Sequence, residues 1–222
     1  MTDKPVIVTI DGPAGSGKST VSKMLAKRID AQFLDTGAMY RAVTVASLDA
    51  GIDLTDQNAM LEVLKSTDFD FSIVDDKTIV TVNGTDATDR IRTPQVTENA
   101  RYAARAGSIR AELVEMQRQF AKKFPRIVTE GRDQGTVAFP NAQFKFFLNA
   151  DVTERAKRRH LELAAKGIDV DINELADQIT SRDLSDINRT DGPMIKADDA
   201  VEIDSTNLDA AGVVNKMLDY IS

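Results

Sequence analysis

The sequence predicts an α/β fold with a central parallel sheet, interrupted by a small antiparallel β insertion and carrying a charged helical hairpin near its end. Three observations predict it. Short β-rich runs alternate with helix-forming runs at both ends of the chain, which is the βαβ rhythm of a parallel sheet. Between them, residues 68–82 change to a period of two, the pattern of a half-buried hairpin. The first strand-to-helix junction reads Gly12-Pro13-Ala14-Gly15-Ser16-Gly17-Lys18-Ser19-Thr20, the G-x-x-x-x-G-K-[ST] spacing of a phosphate-binding loop, with a β-rich run before it and a helix-forming run after it.

Taken in order, the first strand is Val6–Asp11 and its helix covers Val21 to Ile29. Gln32–Asp35 is a short second strand, and Thr36-Gly37-Ala38-Met39-Tyr40-Arg41 opens a helix to about Asp49, with Gly51 as its stop. Ligands of such sheets bind beyond the carboxyl ends of the strands, which places Asp35, Thr36 and Arg41 on the ligand side. Residues 57–65 read as a helix. Residues 68–73 and 78–82 alternate apolar and polar side chains around Asp75-Asp76-Lys77, and Asn83-Gly84 is a strong turn pair. Residues 93–124 are helical in two pieces broken near Ala106-Gly107; Ile109, Leu113, Met116 and Phe120 make one buried stripe. Arg110, next to Ile109, points off that stripe toward solvent or a cleft.

Arg126–Glu130 is the next strand, ending in the loop Gly131-Arg132-Asp133-Gln134-Gly135-Thr136, whose glycines allow close approach to a ligand. Phe144–Leu148 is a buried strand. Asp151 starts a helix bearing Arg155, Lys157, Arg158 and Arg159, broken at Gly167, and a second helix runs from about Ile172 into Arg182, Asp186 and Arg189. Spacings of four and three put those last three on one face. Charge count alone favours a solvated hairpin; arginines sharing a face allow a lid. His160, the single histidine, has no partner in view and reads as structural or exposed. Ala200–Thr206 is the last strand, and Leu208–Ile221 closes the chain as a helix.

The chemistry of the glycine-rich loop follows from its residue types. Gly12, Gly15 and Gly17 let successive N–H groups converge on phosphate oxygens, and the following helix adds its free N-terminal amides and positive dipole end. Lys18 brings a point charge to the β/γ-phosphates. Ser19 or Thr20 can hold Mg²⁺, Ser19 being the matching position. Glu130 sits where a second carboxylate near Mg²⁺ or its waters is expected.

Composition narrows the partners. A net charge of −7, from 28 Lys+Arg against 35 Asp+Glu, argues against a general nucleic-acid or membrane-surface binder, so any polyanion site must be a local gathering of arginines. The absence of cysteine excludes disulfides and thiolate metal sites. No apolar run approaches the ~20 residues that span a bilayer, and the N-terminus lacks a secretory h-region; a cytoplasmic protein is expected. A switch GTPase would need Asn-Lys-x-Asp, whereas Asn215-Lys216-Met217-Leu218-Asp219 is one residue too long. The chain is short for a motor ATPase. What remains is a small-molecule kinase in which Arg41, Arg110, Arg132, Arg182 and Arg189 gather a second anionic ligand.

At these residues the resemblance becomes specific. The loop Gly12–Thr20, the run Asp35–Arg41, the loop Gly131–Thr136, and Arg182-Asp183 with Asp186 and Arg189 resemble the bacterial cytidylate kinases, nucleoside monophosphate kinases of the P-loop three-layer fold. The likeness covers essentially the whole chain, the β insertion included. It implies transfer of the ATP γ-phosphate to CMP or dCMP with Mg²⁺ as cofactor, in a monomer with no nucleic-acid or membrane partner. It implies a core of about 1–56, 107–150 and 190–222, an acceptor-binding insert of about 57–106 and a lid of about 151–189. By position, Gly12 to Thr20 and Arg158 take ATP; Arg41, Arg132 and Arg189 hold the acceptor phosphate; Thr36 lines the acceptor side; Arg182 and Asp186 hold the sugar; Arg110 and Asp133 read the base. Lys18, Arg132 and Arg189 are the expected catalytic side chains, and Ser19 with Glu130 (through water) the metal position. Two residues depart from the family pattern: Arg101 replaces a serine contacting the base, and Gln134 replaces an apolar residue. The rival readings are a kinase for UMP or AMP, and a nucleotide-sensing protein that keeps the fold without turnover.

Overall fold

The computed structural model describes residues 5–74, 77–165 and 167–221. Its centre is the strand β1 (Val6–Asp11), flanked by β6 (Arg126–Gly131) and β7 (Phe144–Asn149). With β2 (Gln32–Asp35) outside β6 and β8 (Val201–Asp204) outside β7, the five strands lie in the order β2-β6-β1-β7-β8, every pairing parallel. A sheet of this kind must be covered on both faces, and the apolar residues of its strands are sorted accordingly. Val8, Ile10, Val128, Leu148 and Ile203 pack under the helices α1 (Lys18–Arg28) and α8 (Ala210–Ile221). On the opposite face Ile127 and Leu34 pack with Met39 of α2 (Thr36–Asp49), Met60 and Leu64 of α3 (Gln57–Ser66), Ala103 of α4 (Pro94–Arg105), and Ile109, Leu113 and Phe120 of α5 (Gly107–Ala121).

The expected antiparallel unit is a three-stranded sheet, β3 (Phe69–Val74), β4 (Lys77–Val82) and β5 (Thr85–Asp86). Residues 75 and 76 of the expected hairpin turn lie outside the described residues; Lys77 opens β4. Asn83 and Gly84 both take positive φ (50° and 75°) to turn into β5. The sheet leans on α2: Val80 and Val82 pack against Ala38, Ala42, Val45 and Ala46. This explains why α2 is buried on almost all sides, sandwiched between the parallel sheet's helical layer and the small sheet.

The C-terminal hairpin is α6 (Val152–Ala164) and α7 (Ile172–Ile187), joined around Ala156, Leu175 and Ile179 as a small apolar seam of their own. Each helix is started by an aspartate: Asp151 accepts from Thr153 N (2.8 Å), and Asp171 from Asn173 N (2.8 Å). Three differences from the sequence expectation bear on the site. Helix α1 begins at Lys18, since the glycine loop hands over directly to helical backbone. Helix α7 stops at Ile187, so Arg189 lies just past it, where the chain turns toward Gly192 (φ 61°). The loop expected over Gly131–Thr136 tightens into a π-turn, Gln134–Ala138, because the Asp11 carboxylate holds its leading amides and Phe139 N closes on Gln134 O at 2.7 Å. Among the described residues no helix is long and apolar enough to cross a membrane.

Candidate active site

The candidate residues come from the carboxyl ends of β1 and β6 and the turns that follow them, from the opening turns of α1, α2 and α5, and from α6, α7 and the chain just after α7. The glycine loop takes its shape from three positive φ values, at Gly12 (146°), Gly15 (76°) and Gly17 (90°). A Cβ at Gly12 would be driven into the Leu148 carbonyl, so that position is closed to any side chain. Lys18 is 5% exposed and its Nζ donates to Pro13 O (2.6 Å) and Ser16 Oγ (3.4 Å). Burial, and then the cation of Arg132, lower its pKa from 10.5 to about 7, with Glu130 and Asp11 opposing. Asp11, at the end of β1, accepts from Gln134 N (2.8 Å) and Gly135 N (2.7 Å); burial nevertheless raises its pKa from 3.8 to about 6.

Ser19 Oγ donates to the Glu130 carboxylate. A hydroxyl beside a carboxylate is a hard-oxygen pair, and Mg²⁺ characteristically takes one or two such protein ligands, filling its shell with water and phosphate oxygens. The residues present therefore fit the ion. Among the described residues no cluster of three or more His, Asp or Glu could hold a metal without such help.

Around Lys18 the arginines converge, and all of them but Arg182 are paired with a carboxylate. Arg41 Nη2 lies 3.3 Å from Asp35 Oδ2, and Asp35 also caps α2 through Ala38 N (2.9 Å). Arg132 Nε donates to Asp186 Oδ2 (2.7 Å), and Arg189 Nη1 stands 3.8 Å from Asp186 Oδ1. Burial would raise the Asp186 pKa, but Arg132, Arg189 and Arg182 together bring it below its ordinary value. Arg182 has no ion-pair partner of its own among the described residues; the surrounding protein, then Arg132 and Arg41, lower its pKa. Burial and the nearby Arg110 do the same to Arg189. The Nε atoms of Arg41 and Arg189 are buried with no hydrogen-bond partner, so this cluster has donors to spare. Thr36 Oγ1 is turned to the Glu130 carbonyl (2.7 Å), tying β2 to β6 at the floor of the site.

The structure resolves the direction of Arg110: it is buried and hydrogen-bonded to the Asp133 carboxylate. Desolvation pulls its pKa down, but Tyr40 and Asp133 beside it outweigh that and raise it. The guanidinium lies 5.7 Å from the centroid of the Tyr40 ring, whose hydroxyl pKa burial raises to about 12. Arg101 stays outside this group; it is exposed and interacts with Glu98 (3.7 Å) and the Tyr102 ring (5.1 Å). Gln134 is buried and useful: its Oε1 accepts from Thr129 Oγ1 (2.9 Å) and its Nε2 donates to Gln117 Oε1 (3.3 Å). Arg158 borders the glycine loop, donating to Ser205 O (2.7 Å), while Ser205 Oγ donates to Ser16 O (3.2 Å). His160 Nδ1 is 3.0 Å from Val170 O, a contact that steadies the α6–α7 connection.

Several residues of the site were given no role of their own from the sequence. Arg92 reaches Asp35 Oδ2 at 3.8 Å from the 3₁₀ turn Arg90–Arg92, beside Arg41. Gly192 lies over the Arg110–Asp133 pair so closely that a Cβ would collide with both, and its carbonyl accepts from Arg189 Nη2 (2.7 Å). Arg155 and Asp183 form a buried pair (2.5 Å) against the glycine loop. Asp11 carried a usable signal as the last residue of a strand entering the glycine loop; Gly192 carried none, lying in a connection without periodicity.

A sequence model of the cytidylate kinase family matches residues 8–222. Curated relatives named cytidylate kinase include one from Bacillus subtilis (strain 168), 44% identical over 219 residues with 99% of this chain and 97% of that protein covered. Another, from Bacillus cereus (strain B4264), is 41% identical over 220 residues with the same coverage. Among solved structures, an uncharacterized protein from Eubacterium ventriosum matches with a TM-score of 0.53 at 16% identity, covering 98% of each chain. A shikimate kinase from Bacteroides thetaiotaomicron matches at 0.50 and 10% identity, covering 97% of this chain and 98% of that one; these two likenesses concern the fold alone.

Proposed function

The chain belongs to the cytidylate kinase family and is therefore a phosphotransferase acting on nucleoside monophosphates, and we propose that it converts CMP or dCMP with ATP into CDP or dCDP and ADP. The observation that supports this most is the convergence of Arg41, Arg132, Arg182 and Arg189, drawn from three parts of the chain, close to Lys18 and to one another. The amides of Gly12 to Thr20 with Lys18 hold the donor triphosphate, with Arg158 at its edge. Arg41, Arg132 and Arg189 hold the acceptor phosphate. Ser19, and Glu130 through water, would hold the Mg²⁺ that arrives with ATP, which supplies charge neutralisation on the β- and γ-oxygens.

An acceptor phosphate oxygen, already anionic, forms the new bond to the γ-phosphorus as the bond to the β,γ-bridging oxygen breaks, and ADP keeps that electron pair. No general base is needed. The residues contribute position and fixed positive charge: Lys18, Arg132 and Arg189 offset the charge gathered between two polyanions. In this reading residues 57–106 act as the acceptor-binding insert and residues 151–189 as a lid that excludes water. The scheme needs one copy of the chain. Arg110 and Asp133, side by side, present a donor and an acceptor to the base. Cytosine answers with acceptors at O2 and N3 and a donor at N4, whereas uracil sets an acceptor against the carboxylate.

The test is ADP release measured with a coupled assay across CMP, dCMP, UMP, AMP and GMP. Turnover with CMP and dCMP well above the others is expected. A preference for UMP or AMP would replace the acceptor assignment, and no turnover with any would leave a nucleotide-binding protein.

A further inference from the structure

The backbone of Ala14, inside the glycine loop, is gripped at both its N–H and its carbonyl by the helical hairpin. Its N–H donates to Asp183 Oδ1 (3.1 Å) on α7, and its carbonyl accepts from Arg155 Nη1 (2.9 Å) on α6. The two side chains bond to each other (2.5 Å), and Arg155 Nε also donates to Ala150 O (2.9 Å) just beyond β7. Both side chains are about nine-tenths buried, and Gly15, the next residue of the loop, packs on the Arg155 Cβ. A carboxylate is an odd neighbour for a nest of amides that is built to receive phosphate, since its charge repels the ligand. Arg155 removes that objection by neutralising it in place.

We propose that Arg155 and Asp183 are positioning residues of the donor site: Asp183 fixes the Ala14 amide from the hairpin, and Arg155 keeps the Asp183 charge from opposing the triphosphate. The proposal rests on the assignment of the glycine loop to ATP. It makes the two residues unequal. Loss of Arg155 leaves a buried, unpaired anion beside the phosphates, which is far worse than loss of the pair's charge altogether. Asp183→Asn keeps an oxygen for the Ala14 amide and gives up only the charge.

The experiment is a double-mutant cycle read by equilibrium binding of Mg·ATP and, separately, of CMP, with melting curves on each variant. Arg155→Met is expected to weaken Mg·ATP binding about tenfold or more, Asp183→Asn by less than about threefold, and the double variant to recover most of the Arg155→Met loss. CMP binding should move little in all three. A double variant as weak as or weaker than Arg155→Met, or equal losses for ATP and CMP, would overturn the proposal in favour of a merely structural staple. If Arg155→Met does not melt cooperatively, Arg155→Lys and Arg155→Lys/Asp183→Asn replace it: the charge-keeping lysine should bind Mg·ATP within about threefold of wild type, and a tenfold loss would overturn the proposal. Binding is read without an acceptor, so a chain that fails to phosphorylate CMP yet shows this cycle would sink the acceptor reading and leave the clasp standing.

Discussion

Lys18 carries an unusual burden for a lysine: it is buried, donates to a carbonyl of its own loop, and is crowded by Arg132. With its pKa lowered to about 7, only about a tenth of the molecules carry the proton at pH 8. A bound triphosphate stabilises the charged form, so binding must draw a proton from solvent. The sign follows: above about pH 7 ATP affinity falls as pH rises, by up to about tenfold per unit, until the pKa of the complex is passed. Calorimetry at pH 8 in buffers of different ionisation enthalpy should read uptake approaching one proton, and close to none for Lys18→Arg; buffer-independent heats for wild type would refute it. In the proposed scheme Asp133 is the matching case on the acceptor side. Asp133→Asn keeps an oxygen for Arg110 but can also turn an amide donor toward a 4-oxo group. The ratio of kcat/KM for CMP over UMP should fall about tenfold or more, the size of one mis-set base contact, and an unchanged ratio would remove Asp133 from base recognition.

At the scale of elements, the turn from Gly131 to Ala138 decides where Arg132 and Asp133 point. Its amides hang on Asp11, and Gln134 bolts it to Thr129 on β6 and Gln117 on α5. Gln134→Leu fills similar volume but strands the Thr129 hydroxyl and the Gln117 carbonyl in the core, a cost of about 2 kcal/mol. A melting point lower by roughly 4–8 °C follows for a domain of this size, with KM for CMP raised and KM for ATP nearly unchanged; equal changes in both would show that the turn does not serve the acceptor side. This turn also marks the limit of what was legible. The strand before it, the glycines and the Arg132-Asp133 pair could be read from local pattern, whereas its π geometry depends on Asp11, more than a hundred residues away. The helices and strands follow periods of 3.6 and 2 and were readable for that reason. Arg182, Asp186 and Arg189 were readable as one face from spacing alone, although the helix ends before Arg189. The clasp of Arg155 on Asp183 was not, because nothing local ties a residue of α6 to one of α7 and to a loop at the other end of the chain.

Over the whole molecule the charge distribution runs against the total. The chain is acidic, at −7, yet Lys18 and the arginines at 41, 110, 132, 182 and 189 are drawn to one face of the sheet's carboxyl edge. Among the described residues only Asp35, Asp133 and Asp186 offset these arginines by direct pairing. A local positive field in an acidic protein concentrates an anion at one place while the rest of the surface repels it, which favours small anions over polyanions that touch a wide area. The field is long-ranged and therefore open to screening: the Debye length shrinks from about 10 Å at 0.1 M salt to about 3 Å at 1 M. In the proposed scheme ATP brings Mg²⁺ and meets backbone amides, whereas the acceptor arrives as a bare dianion among guanidinium groups. At saturating Mg·ATP, kcat/KM for CMP should thus fall several-fold between about 0.05 and about 0.5 M salt, more steeply than the same ratio for ATP at saturating CMP. Arg132→Ala should lower turnover far more than ATP affinity and flatten the CMP slope, since it removes one of the charges that creates it. Parallel slopes for both substrates, or an unchanged slope in Arg132→Ala, would mean that the acceptor is gathered by contacts at short range and not by the converging arginines.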